Sequence, residues 1–236
     1  MFGTNGALLT TFTNPVPAAD DNFGTSVATI GTDKVIVGCP RKDTGASNAG
    51  AAYLFSTNGT LLMTFTNPLP APDENFGISV AAMGTNKIII GANTSNAGAS
   101  NAGAAYLFST GGILLKTFTA SSPMNGANFG IAVTPVGPDR VLVGAPDENV
   151  NASSAGAAHL FTLGYPTLDI TGTGTNYSVK WITFETGLVL QQTDSMANPT
   201  LWINTTGAPA VLGATNVFNL TVPTALNKRF YKLHRP

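Results

Sequence analysis

Residues 75–92 read NFGISVAAMGTNKIIIGA, and the fold turns on how this stretch is read. Its centre, Ile88-Ile89-Ile90, is apolar at every position. A strand with one wet face alternates, so an unbroken β-branched run describes a strand covered on both sides. Gly84-Thr85-Asn86 before it is a turn signal. The phrase occurs twice more, as NFGTSVATIGTDKVIVGC at 22–39 and NFGIAVTPVGPDRVLVGA at 128–145. Val35-Ile36-Val37 and Val141-Leu142-Val143 are the matching apolar runs.

Working outward, the copies keep strict step. Phe2, Phe55, Phe108 and Phe161 are each 53 residues apart, as are Gly38, Gly91 and Gly144. One period holds four strand-like runs, in the second copy GISVAAM, KIIIGA, GAAYLFS and LLKTFT, separated by GTN, NTSNAGASNA and TGG. Four short strands in about 50 residues describe one blade of a β-propeller. Gly-Ala-Ala at 50–52, 103–105 and 156–158 supplies small residues where sheets come close. The fourth run, as in LLTTFT at 8–13, alternates like an outer, half-exposed strand. A parallel β-helix is the alternative, but its rungs are shorter than this period. The expected fold class is all-β: four-stranded blades followed by a small β-sandwich.

Phe23-Gly24 with Gly38-Cys39-Pro40, Phe76-Gly77 with Gly91-Ala92-Asn93, and Phe129-Gly130 with Gly144-Ala145-Pro146 resemble the FG-GAP repeat. That repeat is the blade of integrin α-subunit propellers and of many secreted bacterial proteins. The resemblance covers about residues 2 to 161. It implies a propeller, an extracellular or cell-surface location, and ligand recognition on the face formed by the loops between strands 2 and 3 and between strands 4 and 1. Many such blades carry a calcium loop between the first and second strands. Here that connection is only IGTDK, MGTNK or VGPDR. One acid cannot supply the six or more oxygens calcium takes, so calcium-free blades are expected. Asp33, Asn86 and Asp139 are read as turn formers.

Three Phe-Gly cores are few for a ring. Residues 2 to 18 read as the end of a third strand and a fourth strand, and the copy from Phe129 to Phe161 stops before its fourth strand. Either the sequence is a piece of a longer propeller, or two chains join as a homo-oligomer, each lending its first strand to the other's last blade. Residues 1–162 form the repeat region and 163–167 a linker. Residues 168–236 form an immunoglobulin- or fibronectin-like sandwich, with strands in TLDITGTG, NYSVKWI, GLVLQQTD, TLWINT, VFNLTVP and RFYKLHR. Trp181, Phe184, Leu190, Trp202, Phe218 and Tyr231 are its expected core. Lys228, Arg229, Lys232 and Arg235 are read as charges that protect an edge strand.

Composition narrows function. Of 236 residues 43% are hydrophobic and 10% charged, with net charge −1, so no global field draws nucleic acid or an anionic membrane. No apolar segment is suited to insertion in lipid. Cys39 is the one cysteine and is read as a small buried residue, with Ala92 and Ala145 at its place in the sister copies. Of the two histidines, His159 stands where Tyr53 and Tyr106 stand, and His234 is near the end. No nucleophile motif or zinc cluster surrounds either. No cofactor and no metal are expected.

The candidate binding residues lie in the longer loops: Asp20, Asp21, Asn22, Arg41, Lys42, Asp43, Asp73, Glu74, Asn75, Asp147 and Glu148. Loops on a rigid scaffold carry function more often than the scaffold does. The leading expectation is a non-enzymatic binding or adhesion module for a protein or glycan. A glycan-active hydrolase working through paired carboxylates on this face, and a structural self-assembling unit, are the alternatives.

Overall fold

The computed structural model describes residues 6–163 and, beyond them, seven short strands. The chain divides into two compact units, Met1–Leu163 and Gly164–Pro236. The first unit contains three antiparallel sheets. Sheet one runs β1 (Val27–Ile30), β2 (Lys34–Cys39), β3 (Ala51–Ser56), β4 (Leu61–Thr66), in that order across the sheet. Sheet two repeats it with β5 (Ser79–Met83), β6 (Lys87–Ala92), β7 (Ala104–Ser109) and β8 (Leu114–Phe118). Sheet three has β9 (Ala132–Val136), β10 (Arg140–Ala145) and β11 (Ala157–Thr162), with β11 as its outer strand. Ile36 pairs with Leu54, Ile89 with Leu107 and Leu142 with Leu160, so one register is used throughout. The four-stranded antiparallel sheets are those expected of FG-GAP blades.

The triple isoleucine has a simple explanation. Successive side chains of a strand point to opposite faces. Ile88 and Ile90 face sheet one, where they join Ile30, Ile36, Leu54, Phe65, Phe76 and Phe108 in one buried cluster. Ile89 faces sheet three, in a second cluster with Met83, Leu107, Phe118, Phe129, Val141 and Val143. All three isoleucines are 0% exposed because a sheet covers each side.

The Phe-Gly pair joins the sheets. The Phe76 N–H donates to the Ala49 carbonyl at 3.0 Å and the Phe129 N–H to Ala102 at 3.0 Å, each forming a parallel bridge to the preceding sheet. Gly77 takes φ +94°, and a Cβ there would lie 2.3 Å from the Ala51 oxygen. Gly91 is needed for space instead: its Cβ would lie 1.9 Å from the Gly130 oxygen. The Ser26 and Ser79 hydroxyls donate to the Gly77 and Gly130 carbonyls at 2.8 and 2.7 Å. The third copy has Ala132 at this place and lacks the hydroxyl.

The segment before β1 behaves like the fourth strand of a preceding sheet. The Phe12 ring packs at an angle against Phe55 at 5.5 Å, as Phe65 does against Phe108 at 5.4 Å and Phe118 against Phe161 at 5.2 Å. The expected turn formers sit in the β1–β2, β5–β6 and β9–β10 turns. There the Asp33, Asn86 and Asp139 carbonyls accept the N–H of Thr57, Thr110 and Leu163 at 2.9, 2.9 and 2.7 Å.

In the second unit, β12 (Asp169–Thr173), β13 (Asn176–Ile182), β17 (Thr215–Thr221) and β16 (Ala210–Leu212) form one antiparallel sheet in the order β12-β13-β17-β16. β15 (Ile203–Asn204), β14 (Val189–Thr193) and β18 (Phe230–His234) form a second. Six of these strands fall in the runs read from the sequence. The short β16 is additional, since Ala-Val-Leu between Pro209 and Gly213 offers too few residues for alternation to show. Of the expected core, Phe184, Trp202 and the side chains of Trp181, Leu190, Phe218 and Tyr231 lie outside the described residues, as do most of the linker and Lys228, Arg229 and Arg235.

Candidate functional site

In an antiparallel four-stranded sheet the connections between strands 2 and 3 and into the next strand 1 leave from the same end. The structure makes that end a bonded row. Asn48 Nδ2 donates to Asp73 Oδ1 at 2.8 Å, and the Asp73 N–H donates to the Ser47 carbonyl at 2.9 Å. Thr94 Oγ1 donates to the Asp73 carbonyl at 2.5 Å and accepts Asn75 Nδ2 at 2.8 Å. Asn128 accepts from Asn93 at 3.0 Å and donates to Asp147 at 2.7 Å. Left-handed backbone recurs in step, at Asp20, Asp73 and Gly126 and at Asn22, Asn75 and Asn128. Short polar side chains and glycine tolerate that conformation best, which explains the residue types.

Beneath the row lie three equivalent slots. The first holds Asn14, Asp21, Cys39, Lys42 and Tyr53. Lys42 Nζ donates to Asp21 Oδ2 at 3.1 Å, and the same oxygen accepts Asn14 Nδ2 at 2.7 Å and the Ala18 N–H at 2.7 Å. Burial pushes the Asp21 carboxyl up, but these bonds outweigh it and hold the group below the usual carboxylate range. Burial and the Asp21 charge push the Cys39 thiol up to about 11, and it stays protonated, donating to the Asp21 carbonyl at 3.2 Å. Burial is also the main cause that raises Tyr53 to about 12.

The second slot replaces these residues by Asn67, Glu74, Ala92, Ser95 and Tyr106. Glu74 accepts Asn67 Nδ2 at 2.5 Å, the Ala71 N–H at 3.1 Å and Ser95 Oγ at 3.0 Å, with no cation. Desolvation raises Tyr106, with Ser95, Asn67 and Glu74 around it. The third slot holds Ala120, Ala127, Ala145, Glu148 and His159. The acid has moved to the other loop, and Glu148 Oε2 meets His159 Nε2 at 2.5 Å. His159 also keeps the ring position of the tyrosines, 5.5 Å from Phe129. Each slot thus keeps one hydrogen-bonded acid, as the cost of burying an unpaired one requires.

The eleven candidate residues divide accordingly. Asp21, Lys42, Glu74 and Glu148 are buried in the slots, where the two acids of the first two loops fix loop backbone. Asp20, Asn22, Arg41, Asp43, Asp73 and Asp147 are exposed, and Asn75 is half-buried. Two apolar residues join them at the surface. Leu69 is 84% exposed and Val16 64%, each between two prolines. Their sequence signal is Pro-Val-Pro and Pro-Leu-Pro, an aliphatic residue in a segment that cannot enter a strand ladder. Pro70 and Pro123 pack on the preceding loops, 2.8 Å from where a Cβ on Gly45 or Gly98 would lie. Asn93 stands where the sister copies have Pro40 and Pro146, and its buried Oδ1 has no hydrogen-bond partner. Among the described residues no group of three or more His, Cys, Asp or Glu could hold a metal ion.

The FG-GAP repeat family matches residues 10–55 and 70–108. Each match begins before the Phe-Gly loop and ends on the third strand, at Phe55 and Phe108. No curated protein matches the chain. FG-GAP repeats are typical of binding and adhesion propeller domains and are often extracellular. No helix among the described residues is long and apolar enough to cross a membrane. Two segments in tandem are thus similar to the FG-GAP repeat, and the third Phe-Gly sheet uses the same strand register.

Proposed function

We propose that this chain is a non-enzymatic binding or adhesion module of a secreted or cell-surface protein, taking a partner on its loop row. One observation carries the reading. The three copies share their scaffold residues and differ where the loops meet solvent: Arg41, Thr94 and Asp147 occupy one position, and Asp43, Asn96 and Asn149 another. A rigid frame under variable loops is an arrangement suited to recognition. Exposed Leu69 and Val16, in the same set of loops as the exposed Arg41, Asp43 and Asp73, supply apolar and polar surface together, as protein interfaces do. No aromatic residue among residues 6–163 is exposed, which favours a protein partner over a glycan.

The test is a binding screen of the immobilised chain against extracellular protein and glycan arrays, repeated with Leu69→Ser and Arg41→Ala. Both side chains are at the surface, so stability should be unchanged while binding falls about tenfold or more. Hydrolysis of an arrayed glycan that Asp73→Asn or Glu74→Gln abolishes would instead establish the enzyme reading.

A further inference from the structure

We propose that Val16 and Leu69 are the apolar contacts for a protein partner whose surface offers small apolar pockets rimmed mainly by lysine and arginine, and that the Asn–acid pairs of the first two slots are positioning residues that hold them outward. The inference rests on the loop row being a binding surface, as proposed above. It names the part of that surface that makes contact and the chemistry it meets.

In each of these slots the bonds converge on one exposed residue. Asn67 Oδ1 accepts the Leu69 N–H at 3.1 Å, while Asn67 Nδ2 donates to Glu74 Oε2 at 2.5 Å. The same Glu74 oxygen accepts the Ala71 N–H at 3.1 Å. Pro68, Pro70 and Pro72 have no N–H, so both backbone donors between Pro68 and Pro72 end on this pair. The first slot repeats the arrangement. Asn14 Oδ1 accepts the Val16 N–H at 3.1 Å, and Asp21 Oδ2 accepts Asn14 Nδ2 and the Ala18 N–H, each at 2.7 Å. Both acids are buried, yet the residues they hold are 84% and 64% exposed and belong to no core cluster.

The third copy shows that these features go together. Ala120 and Ala127 stand where the asparagine and the acid stand, and Ser122 stands in place of Val16 and Leu69. The acid of that slot, Glu148, meets His159 instead. Where the clamp is missing, the aliphatic residue is missing too. An asparagine and an acid that served only the core would place no demand on the exposed residue two positions after the asparagine.

The clamp has a physical use. A leucine fixed by flanking prolines and two backbone hydrogen bonds has little freedom left to lose, so more of the free energy of burying it shows as affinity. The charge around it sets the character of the partner. Asp20 and Asp73 follow Val16 and Leu69 by four residues each, and Asp43 lies in the loop on which Pro70 packs. These three and Asp147 are exposed, and Arg41 is the exposed cation among the candidate loop residues. Such a margin repels anionic lipid and matches Lys and Arg, which only donate, with one carboxylate in return for Arg41. No three His, Cys, Asp or Glu among the described residues come together, so the charge is spread along the row as a margin rather than gathered for an ion.

Asn67→Ala tests the clamp, because it leaves Leu69 in place. Hydrogen exchange followed by NMR should show the Leu69 and Ala71 amides exchanging about tenfold faster or more, with the strand amides unchanged. On an array of extracellular proteins, Leu69→Ser with Val16→Ser should weaken binding about tenfold or more. Asn67→Ala should weaken it less, and should add nothing once Leu69 is serine. An asparagine with a merely structural role would weaken binding equally in both backgrounds. Raised salt should weaken binding as well. Asn67→Ala with Glu74→Ala, which copies Ala120 and Ala127, leaves no acid stranded and should match Asn67→Ala in both measurements.

Binding that survives Leu69→Ser with Val16→Ser would overturn this inference and leave the binding reading standing, as would Leu69 exchange that Asn67→Ala does not change. A chain that binds no protein of the array would overturn the binding reading itself, and the contact surface with it. Retention on phosphatidylcholine vesicles that the two serine substitutions abolish would give these side chains to a lipid surface and overturn the protein partner.

Discussion

Consider Lys42→Ser, which gives the first slot the residue of the second. Lys42 is 9% exposed and Asp21 5%, so the substitution leaves a buried carboxylate without its cation. Removing one partner of a buried ion pair costs roughly 3–5 kcal/mol when the remaining charge has no other support. Asp21 keeps Asn14 Nδ2 and the Ala18 N–H, both at 2.7 Å. Charge-assisted bonds of that kind offset part of the loss, so about 2–3 kcal/mol is expected. The companion is Asp21→Glu with Lys42→Ser, which rebuilds the second slot's set of Asn, Glu, Ser and Tyr. A longer carboxylate can then reach the serine, as Glu74 reaches Ser95 at 3.0 Å, and about half or more of the loss should return.

The assay is urea unfolding, with the slope unchanged and the midpoint moved. Lys34→Ser is the control, because Lys34 pairs with Asp33 at 2.8 Å on the surface, where such pairs contribute about 0–1 kcal/mol. A Lys42→Ser midpoint equal to that of Lys34→Ser would refute the reasoning about the buried pair. A double variant no better than Lys42→Ser would refute the equivalence of the slots.

Two further outcomes follow, one from the same slot and one from the junction between sheets two and three. Asp21 titrates below its ordinary range in the folded chain, so its contribution to stability is present above the unfolded carboxylate value of about 3.9 and is lost as pH falls through the folded value. Asp21→Asn should therefore flatten the acid limb of a stability-against-pH curve below about pH 4, and an unchanged limb would count against this role. Gly91→Ala should cost about 3 kcal/mol or more by forcing a methyl against the Gly130 carbonyl. Gly111→Ala, with only Ser109 Oγ at 3.7 Å, should stay within about 0.5 kcal/mol, both measured by the same urea unfolding.

Much of this was legible along the chain. The 53-residue step, the four strands per step and the double-sided burial of Ile88 to Ile90 follow from spacing and side-chain type, because a strand's own periodicity reports how many of its faces are covered. The loops at one end follow from antiparallel order alone. The character of the acids in those loops does not. Asp20 and Asp21 are neighbours in sequence, yet one is exposed on a left-handed turn and the other is buried beneath it. Leu69 is not among the residues the sequence singles out, and its 84% exposure shows only in the structure, where the neighbouring Pro70 packs over Gly45.

The sequence by itself determined the repeat, its strand order and the need for glycine at the Phe-Gly junctions. These are local matters of periodicity and backbone sterics. Tertiary structure decided which polar residues meet, because each slot draws on positions spread over 40 residues, as from Asn14 to Tyr53, and a buried acid is held by whatever donors the neighbouring loops bring to it. It also decided which apolar faces stay open. Leu160 and Leu54 occupy the same place in the same strand register, yet Leu160 is 54% exposed and Leu54, covered by sheet two, 1%.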